Sequence, residues 1–260
     1  MPRISASSLA LLVVMTAALA QADEWPQWRG PTRDGVWSET GLVDHFASTQ
    51  LPLKWRAPIG SGYTGPTVCD GRVFLTDRLV EPKQMERVLA FDRETGKPLW
   101  TYEYECPYSI GYPAGPRAAV LVDEGRAFAL GATGRLHVLD AASGSVLWEN
   151  DLEKTYDIRM PIWGISSSPL VYGDLLVVQI GGNEGACLVA FDKKNGEERW
   201  RALDDDASYA APIIVEQNGQ NVLVCLTGQH VAGLKPDTGE VLWKYPFPPA
   251  KMVIGIATPV

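Results

Sequence analysis

Few residues of this 260-residue chain are spaced for catalysis. His45, His137 and His230 are scattered and lack the spacing of zinc ligands. An acidic run at 204–206 offers oxygen ligands for calcium, but a run of like charge in a connection is most often a solvated loop. The sequence contains no G-x-S-x-G, H-E-x-x-H or Walker pattern. We therefore expect no metal site, and nothing in the sequence supports a hydrolase or a nucleotidase.

One arginine is the best candidate for recognising an anion. The guanidinium of Arg117 presents its donors as a fork that suits a carboxylate, provided that it does not pair with an acidic group in a neighbouring turn. Tyr112 and Trp163 lie in adjoining loops and are aromatic anchors of the type enriched at recognition surfaces. The same two rings could equally pack the loops down. Whether these side chains meet depends on the elements that hold them.

An eleven-residue motif organises those elements. AFDRETGKPLW at 90–100 returns as VLDAASGSVLW at 138–148, AFDKKNGEERW at 190–200 and GLKPDTGEVLW at 233–243, roughly every 45 residues. The recurring positions are Ala90, Asp92, Gly96 and Trp100; Val138, Asp140, Gly144 and Trp148; Ala190, Asp192, Gly196 and Trp200; and Gly233, Gly239 and Trp243. In the fourth copy Lys235 replaces the Asp, and we expect Asp237 to cap that turn instead.

Each copy of the motif predicts a β-hairpin. A short apolar strand leads to an Asp that can accept turn N–H groups, and the Gly supplies a positive φ before the strand that carries Trp. A second pattern, beginning at Pro66, Pro169 and Pro212, adds two more apolar strands to each unit. Helical periodicity is almost absent. The sequence therefore predicts an all-β protein, a β-propeller built of four-stranded antiparallel blades.

The chain divides into three parts by composition. Residues 1–22 have a basic start, an apolar run and small residues before a cleavage position, which is typical of a secretory signal peptide. Residues 23–52 form an extended leader rich in Trp, Gly and Pro. Blades are expected over 53–100, 101–148, 149–200 and 201–243, with a partial fifth at 244–260. We expect this to be a truncated piece of a seven- to eight-bladed propeller.

Charge and cysteine content limit the partners and the chemistry. The formal net charge of −8 opposes binding to nucleic acid, and no basic cluster offsets it. The four cysteines are Cys69, Cys106, Cys187 and Cys225. They are either small apolar residues within strands or members of disulfides such as Cys69 with Cys106, and the sequence does not choose among the three full pairings.

Propeller geometry places a candidate binding surface. Residues just before the first strand of each blade should approach the central channel or its mouth. The candidates are Tyr63, Arg117, Ser166 and Tyr209, with Tyr112 and Trp163 in the adjoining loops. We expect any ligand or partner to bind there.

The motif resembles the tryptophan-docking motif of the pyrroloquinoline quinone (PQQ) propeller repeats, from about Trp55 to the end of the chain. The leader sequence WPQWRGPTRDG is similar to that of exported bacterial PQQ-like repeat proteins, a group that also resembles the outer-membrane assembly propeller BamB. The resemblance implies that each motif Trp is wedged between adjacent blades, against a small first-place residue and a motif Gly peptide. On that basis the motif residues are structural.

The resemblance leaves three functions open. The first is a non-catalytic, exported scaffold that presents its loops to a protein or cell-envelope partner. The second is a PQQ-dependent alcohol oxidoreductase, which in true quinoproteins needs calcium held by side-chain oxygens, a catalytic Asp and typically a disulfide between adjacent cysteines. No two cysteines are adjacent here, and we assign no catalytic residue. The third is a module that binds a small ligand or a carbohydrate. A transmembrane protein is not expected.

Overall fold

The computed structural model describes residues 24–46, 48–49, 51–111, 115–249 and 255–259. The predicted signal peptide and Tyr112 lie outside the described residues. The strands are β1 (Thr67–Cys69), β2 (Arg72–Leu79), β3 (Met85–Asp92), β4 (Pro98–Glu105), β5 (Leu121–Asp123), β6 (Arg126–Leu130), β7 (Arg135–Asp140), β8 (Val146–Asp151), β9 (Leu170–Tyr172), β10 (Leu175–Gln179), β11 (Leu188–Asp192), β12 (Glu198–Ala202), β13 (Ile213–Gln217), β14 (Gln220–Leu226), β15 (His230–Leu234) and β16 (Val241–Pro246).

These strands form four antiparallel sheets of four consecutive strands each, β1 to β4, β5 to β8, β9 to β12 and β13 to β16. The predicted all-β architecture of propeller blades is therefore confirmed. Each sheet ends a few residues beyond its motif Trp, because the Trp lies within the fourth strand rather than at its end. We refer to the sheets as blades 1 to 4.

A five-residue helix, α1 (Leu152–Tyr156), was not predicted. The side chain of Asp151 accepts the N–H of Lys154 at its N-terminus, and Asp157 ends it in the left-handed conformation. Its buried residues are Leu152 and Tyr156. So short an element spans little more than one turn, and this is why the hydrophobic periodicity of the sequence does not reveal it.

The motif turns share one geometry. In blade 1 the carboxylate of Asp92 accepts the N–H of Thr95 at 2.7 Å, and the N–H of Gly96 donates to the carbonyl of Asp92. These hydrogen bonds hold the pKa of Asp92 below its usual value, with the Thr95 side chain the largest cause. The pairing register shifts at Ala90/Phe91 and at the matching position of the other three blades. The same hairpin has therefore formed four times.

The fourth turn corrects one expectation. Asp237 takes part in no side-chain hydrogen bond among the described residues, so it does not cap the turn. Thr238 accepts the N–H of Glu240 instead, and Lys235 forms an ion pair with Glu240 at 2.6 Å. A lysine at the third place provides no side-chain acceptor for the turn amides, but the backbone bond from Gly239 to the carbonyl of Lys235 is kept, as in the other three turns.

Three of the four motif tryptophans join their blade to the next one. The indole N–H of Trp100 donates to the carbonyl of Ala141 at 3.1 Å, and its ring covers Gly144, where a Cβ would lie 2.7 Å from the indole. The same relation links Trp148 to Gly196, Trp200 to Gly239 and, one unit earlier, Trp55 to Gly96. Trp243 instead packs on Gly233 of its own blade. The first three motif tryptophans thus stack the four blades in sequence.

The core lies between the blades. Blades 2 and 3 share the largest described cluster, which includes Phe128, Leu136, Ile165, Leu176 and Phe191. Separate clusters fill the seam between blades 1 and 2 and the seam between blades 3 and 4. Burial of apolar surface at each seam therefore supports nearest-neighbour stacking of the repeats.

The leader packs back onto the blades. Trp25 pairs with Val68 of β1 through two backbone hydrogen bonds of 2.8 and 2.9 Å, and the carbonyl of Pro26 accepts the N–H of Val122 in β5. Arg33 is buried and donates to the carbonyl of Pro169 at 2.8 Å. Burial lowers the pKa of Arg33 to about 10. The leader therefore crosses the first strands of blades 1 and 2 and reaches the start of blade 3.

Candidate functional site

The connections that precede the first strand of each blade lie together at one end of the sheets. The N–H of Tyr63, before β1, donates to the carbonyl of Pro116, before β5, at 2.9 Å. The N–H of Gly111 donates to the carbonyl of Ile162 at 3.0 Å, which links the next two connections. A Cβ at position 111 would lie 3.0 Å from the Trp163 indole, so the glycine there leaves room for this ring. These contacts fix the walls of a cavity.

We call this space the mouth cavity; its volume is about 260 Å³. Its lining comprises Trp28, Tyr63, Arg117, Trp163, Ser166, Ser168, Tyr209, Ala211 and Ile256. Five of the six residues predicted for the channel are thus brought together, and the sixth, Tyr112, lies outside the described residues. The cavity combines four aromatic rings, two serines and one guanidinium.

Arg117 is the charged group of the mouth cavity. Its guanidinium carbon lies 4.7 Å from the ring centre of Tyr63, a cation–π arrangement. It donates to the carbonyl of Gly115 at 2.8 Å and, at the limit of hydrogen bonding, to that of Gly111 at 3.5 Å. No ion pair joins Arg117 to an acidic side chain among the described residues. Its remaining N–H groups can therefore serve an anion.

Trp163 and Tyr209 form the opposite side of the cavity. Their ring centres are 5.3 Å apart, and the Tyr209 hydroxyl accepts the backbone N–H of Trp163 at 3.2 Å. Burial raises the pKa of Tyr209 above its usual value. The hydroxyl therefore stays protonated at neutral pH, and its own proton remains available to a bound acceptor.

Sequence reasoning missed four residues of the lining, which are Trp28, Ser168, Ala211 and Ile256. Ser168 and Ala211 lie two positions after Ser166 and Tyr209, and the alternation of side chains in an extended segment would have indicated them. Trp28 comes from the leader, and its indole N–H donates to the hydroxyl of Thr258 at 3.2 Å. Nothing in the sequence pattern of the leader shows that it folds back to this place.

The sequence suggested that the acidic run at 204–206 is a solvated loop; Asp204 is exposed as expected, but Asp205 and Asp206 are not. Asp205 is buried and accepts hydrogen bonds from the hydroxyl of Thr227 at 2.7 Å and from Nδ1 of His230 at 2.8 Å. Asp206 pairs with Arg159 at 3.1 Å. These carboxylates hold the start of blade 4 in place. The part of the chain that the structure describes contains no group of three or more His, Cys, Asp or Glu that could hold a metal ion.

The four cysteines are free thiols. Cys106, Cys187 and Cys225 are buried, and Cys69 is partly buried in β1. Burial raises the pKa of Cys69 and of Cys106 to about 11, and that of Cys225 to about 12. The sequence left open whether the cysteines form disulfides or are small apolar residues within strands; the structure shows no disulfide among them.

Comparison with known proteins identifies the family of this chain. The family model described as "Outer membrane protein assembly factor BamB" matches residues 84–253, which is more than half of the chain. The chain belongs to this family. The resemblance to PQQ-like propeller repeats is thereby confirmed. No helix among the described residues is long and apolar enough to cross a membrane.

Quinone-dependent dehydrogenases also resemble this member of the BamB family. The 1-butanol dehydrogenase (quinone) of Thauera butanivorans is 30% identical over 164 residues, which are 58% of this chain and 25% of the dehydrogenase. Quinoprotein alcohol dehydrogenase PedH of Pseudomonas putida is 29% identical over 160 residues, again 25% of its length. The chain thus spans about a quarter of these curated relatives.

Solved structures agree on the architecture. The quinohemoprotein alcohol dehydrogenase of Comamonas testosteroni has a TM-score of 0.62 at 18% identity, covering 89% of this chain and 42% of that one. A europium-containing methanol dehydrogenase has a TM-score of 0.56 at 16% identity, covering 75% and 45%. At these identities the likeness shows the propeller fold alone.

Proposed function

We propose that this chain is an exported, non-catalytic propeller-repeat protein of the cell envelope that binds a protein partner at the mouth cavity. The observation that carries the proposal is Arg117, a guanidinium held over Tyr63 and turned to a cavity without an acidic residue in its lining. The partner would present a carboxylate to Arg117 and an apolar or aromatic group to Trp163 and Tyr209. The apolar run at 1–22 supports export.

Affinity at such a site would come from a few strong contacts. A charge-assisted hydrogen bond contributes about 1.5–3 kcal/mol, and aromatic anchors rank among the residues that dominate interface energies. Replacing Arg117 with Gln should therefore weaken binding by about tenfold or more. The same substitution removes two hydrogen bonds to backbone carbonyls, so the thermal stability of the variant needs to be measured alongside.

A second candidate is a quinone-dependent oxidoreductase, because the curated relatives named above are quinone dehydrogenases. The lining of the mouth cavity fits PQQ with calcium only in part. Arg117 and the aromatic rings suit the carboxylates and the planar ring system of the quinone. The described lining does not suit calcium, since its side-chain oxygens are the hydroxyls of two serines and two tyrosines and its one charged group is a cation. The non-catalytic reading is therefore preferred.

Photo-cross-linking in the exporting bacterium tests the proposal. A benzophenone amino acid replaces Tyr63 at the mouth, and in a second strain it replaces Tyr245, which is 71% exposed on β16, the outer strand of blade 4, and does not line the mouth cavity. We expect a discrete adduct from position 63 that Arg117→Gln reduces, and no matching adduct from position 245. Equal adducts from both positions, or none that depends on Arg117, would refute a partner site at the mouth.

A further inference from the structure

A second concave surface lies beside the mouth cavity and has not been used so far. It has a volume of about 750 Å³ and runs between the leader and the first strands of blades 1 and 2. We call it the leader groove; its lining includes Trp25, Trp28, Trp37, Arg29 and Arg93. Three indoles and two guanidinium groups in one groove, without an acidic residue in the lining, are a specific combination.

The groove has a fixed wall because the leader is pinned to the blades. The backbone pairing of Trp25 with Val68 and the buried Arg33 hold the segment 25–33 of the leader at its two ends. Between them the turn at Gly30 brings the backbone against the ring of Trp25, where a Cβ would lie 2.8 Å from the indole. The indole of Trp25 therefore cannot move freely, and a ligand would meet a preformed surface.

The exposure of the aromatic rings is unusual for a packed segment. Trp37 is 55% exposed and Trp28 is 38% exposed, although large apolar side chains gain most from burial. Arg29 is held at φ +62°, a left-handed conformation that is strained for a residue with a Cβ.

The charge of the groove selects an anion. The Arg29 guanidinium donates to the carbonyl of Asp34 at 2.6 Å and forms no ion pair among the residues that the structure describes. Arg93 is compensated, since it pairs with Glu94 at 3.5 Å and with Glu24 at 4.0 Å. Arg29 is therefore the guanidinium of the groove whose charge no ion pair among the described residues balances. An anion in the groove would give Arg29 such a partner.

From these observations we infer that the leader groove binds an acidic glycan whose sugar rings carry carboxylates. The C–H faces of a pyranose ring pack on indoles such as Trp37, and the guanidinium of Arg29 binds the ring carboxylate through two parallel hydrogen bonds. A neutral glycan would leave Arg29 without an ion pair. A purely apolar segment would leave the Arg29 guanidinium unpaired in a desolvated site. The groove is distinct from the mouth cavity, although Trp28 borders both.

The test is a titration of the purified chain with a hexamer of galacturonic acid, followed by tryptophan fluorescence and isothermal calorimetry. We expect saturable binding that weakens as salt is added, and at least about tenfold weaker binding for Arg29→Gln. Trp37→Ala should lose about fivefold or more in affinity while its melting temperature stays near that of the parent chain, because the ring is more than half exposed.

Matched controls separate the groove from other surfaces. Arg126→Gln removes a guanidinium that, like that of Arg29, donates to a nearby backbone carbonyl, but it lies outside the groove, and it should not change binding. Trp163→Ala at the mouth cavity should not change it either. Equal affinity for the neutral hexamer cellohexaose, tighter binding of a glutamate hexapeptide, or unchanged binding by Arg29→Gln would each overturn the inference.

Discussion

Gly144→Ala is the sharpest test of how the blades are joined. Gly144 has φ +75°, and a Cβ there would lie 2.7 Å from the Trp100 indole of the preceding blade. Gly125 in the same blade has φ +73°, but a Cβ there would meet nothing within 4 Å. Both substitutions incur the left-handed backbone penalty, about 1–2 kcal/mol. Only Gly144→Ala must also displace the Trp100 indole from its contact with the glycine backbone.

The difference between the two variants therefore measures the docking contact. Overpacking of a close-packed site costs about 1–3 kcal/mol, so Gly144→Ala should reduce the free energy of unfolding by about 2–5 kcal/mol in total. Gly125→Ala should reduce it by the backbone penalty alone. Urea denaturation followed by circular dichroism gives both values. Combining Gly144→Ala with Trp100→Ala should remove most of the extra loss, because the clashing ring is then absent. Equal destabilisation by the two alanines would refute the docking account.

Two further predictions concern buried titratable groups. Burial lowers the pKa of His137 to about 4, although the nearby Glu149 carboxylate acts in the opposite direction. The unfolded chain therefore binds a proton at this histidine near pH 6.5, whereas the folded chain binds it only near pH 4. Stability should therefore fall as the pH drops through this range, and His137→Gln should show a smaller fall in urea titrations at pH 7 and pH 4.5; an identical fall would contradict this reading. The thiols of Cys187 and Cys225 should not react with a disulfide reagent at pH 8 until the chain is denatured, because burial raises the pKa of both, and fast reaction of the native protein would contradict their placement.

The fold could be predicted because its signal is repeated. Gly96 and its three counterparts each combine a positive φ with an indole packed against them. Both features require glycine, so the same residue recurs at the same place in all four repeats. The short helix at Leu152–Tyr156 could not be predicted in the same way. It depends on the Asp151 cap and on two buried side chains, and these are local contacts without a periodic pattern.

The site could be predicted only where the repeat positions it. Tyr63, Arg117, Ser166 and Tyr209 precede the first strands of successive blades, so blade geometry alone brings them to one end of the array. Trp28 lines the same cavity because the leader pairs with β1, and the residue types of the leader do not predict this pairing. The burial of Asp205 depends likewise on its contacts with Thr227 and His230, which are distant in sequence.

A thermal melt of the purified chain with and without PQQ and calcium tests the proposed role of the mouth cavity most directly. A ligand that binds only the folded chain raises the melting temperature in a saturable way. The account predicts a cooperative melt that PQQ with calcium leaves unchanged in the parent chain and in Arg117→Gln alike. A saturable rise with PQQ that needs calcium and is lost in Arg117→Gln would contradict it and would make the mouth cavity a quinone site.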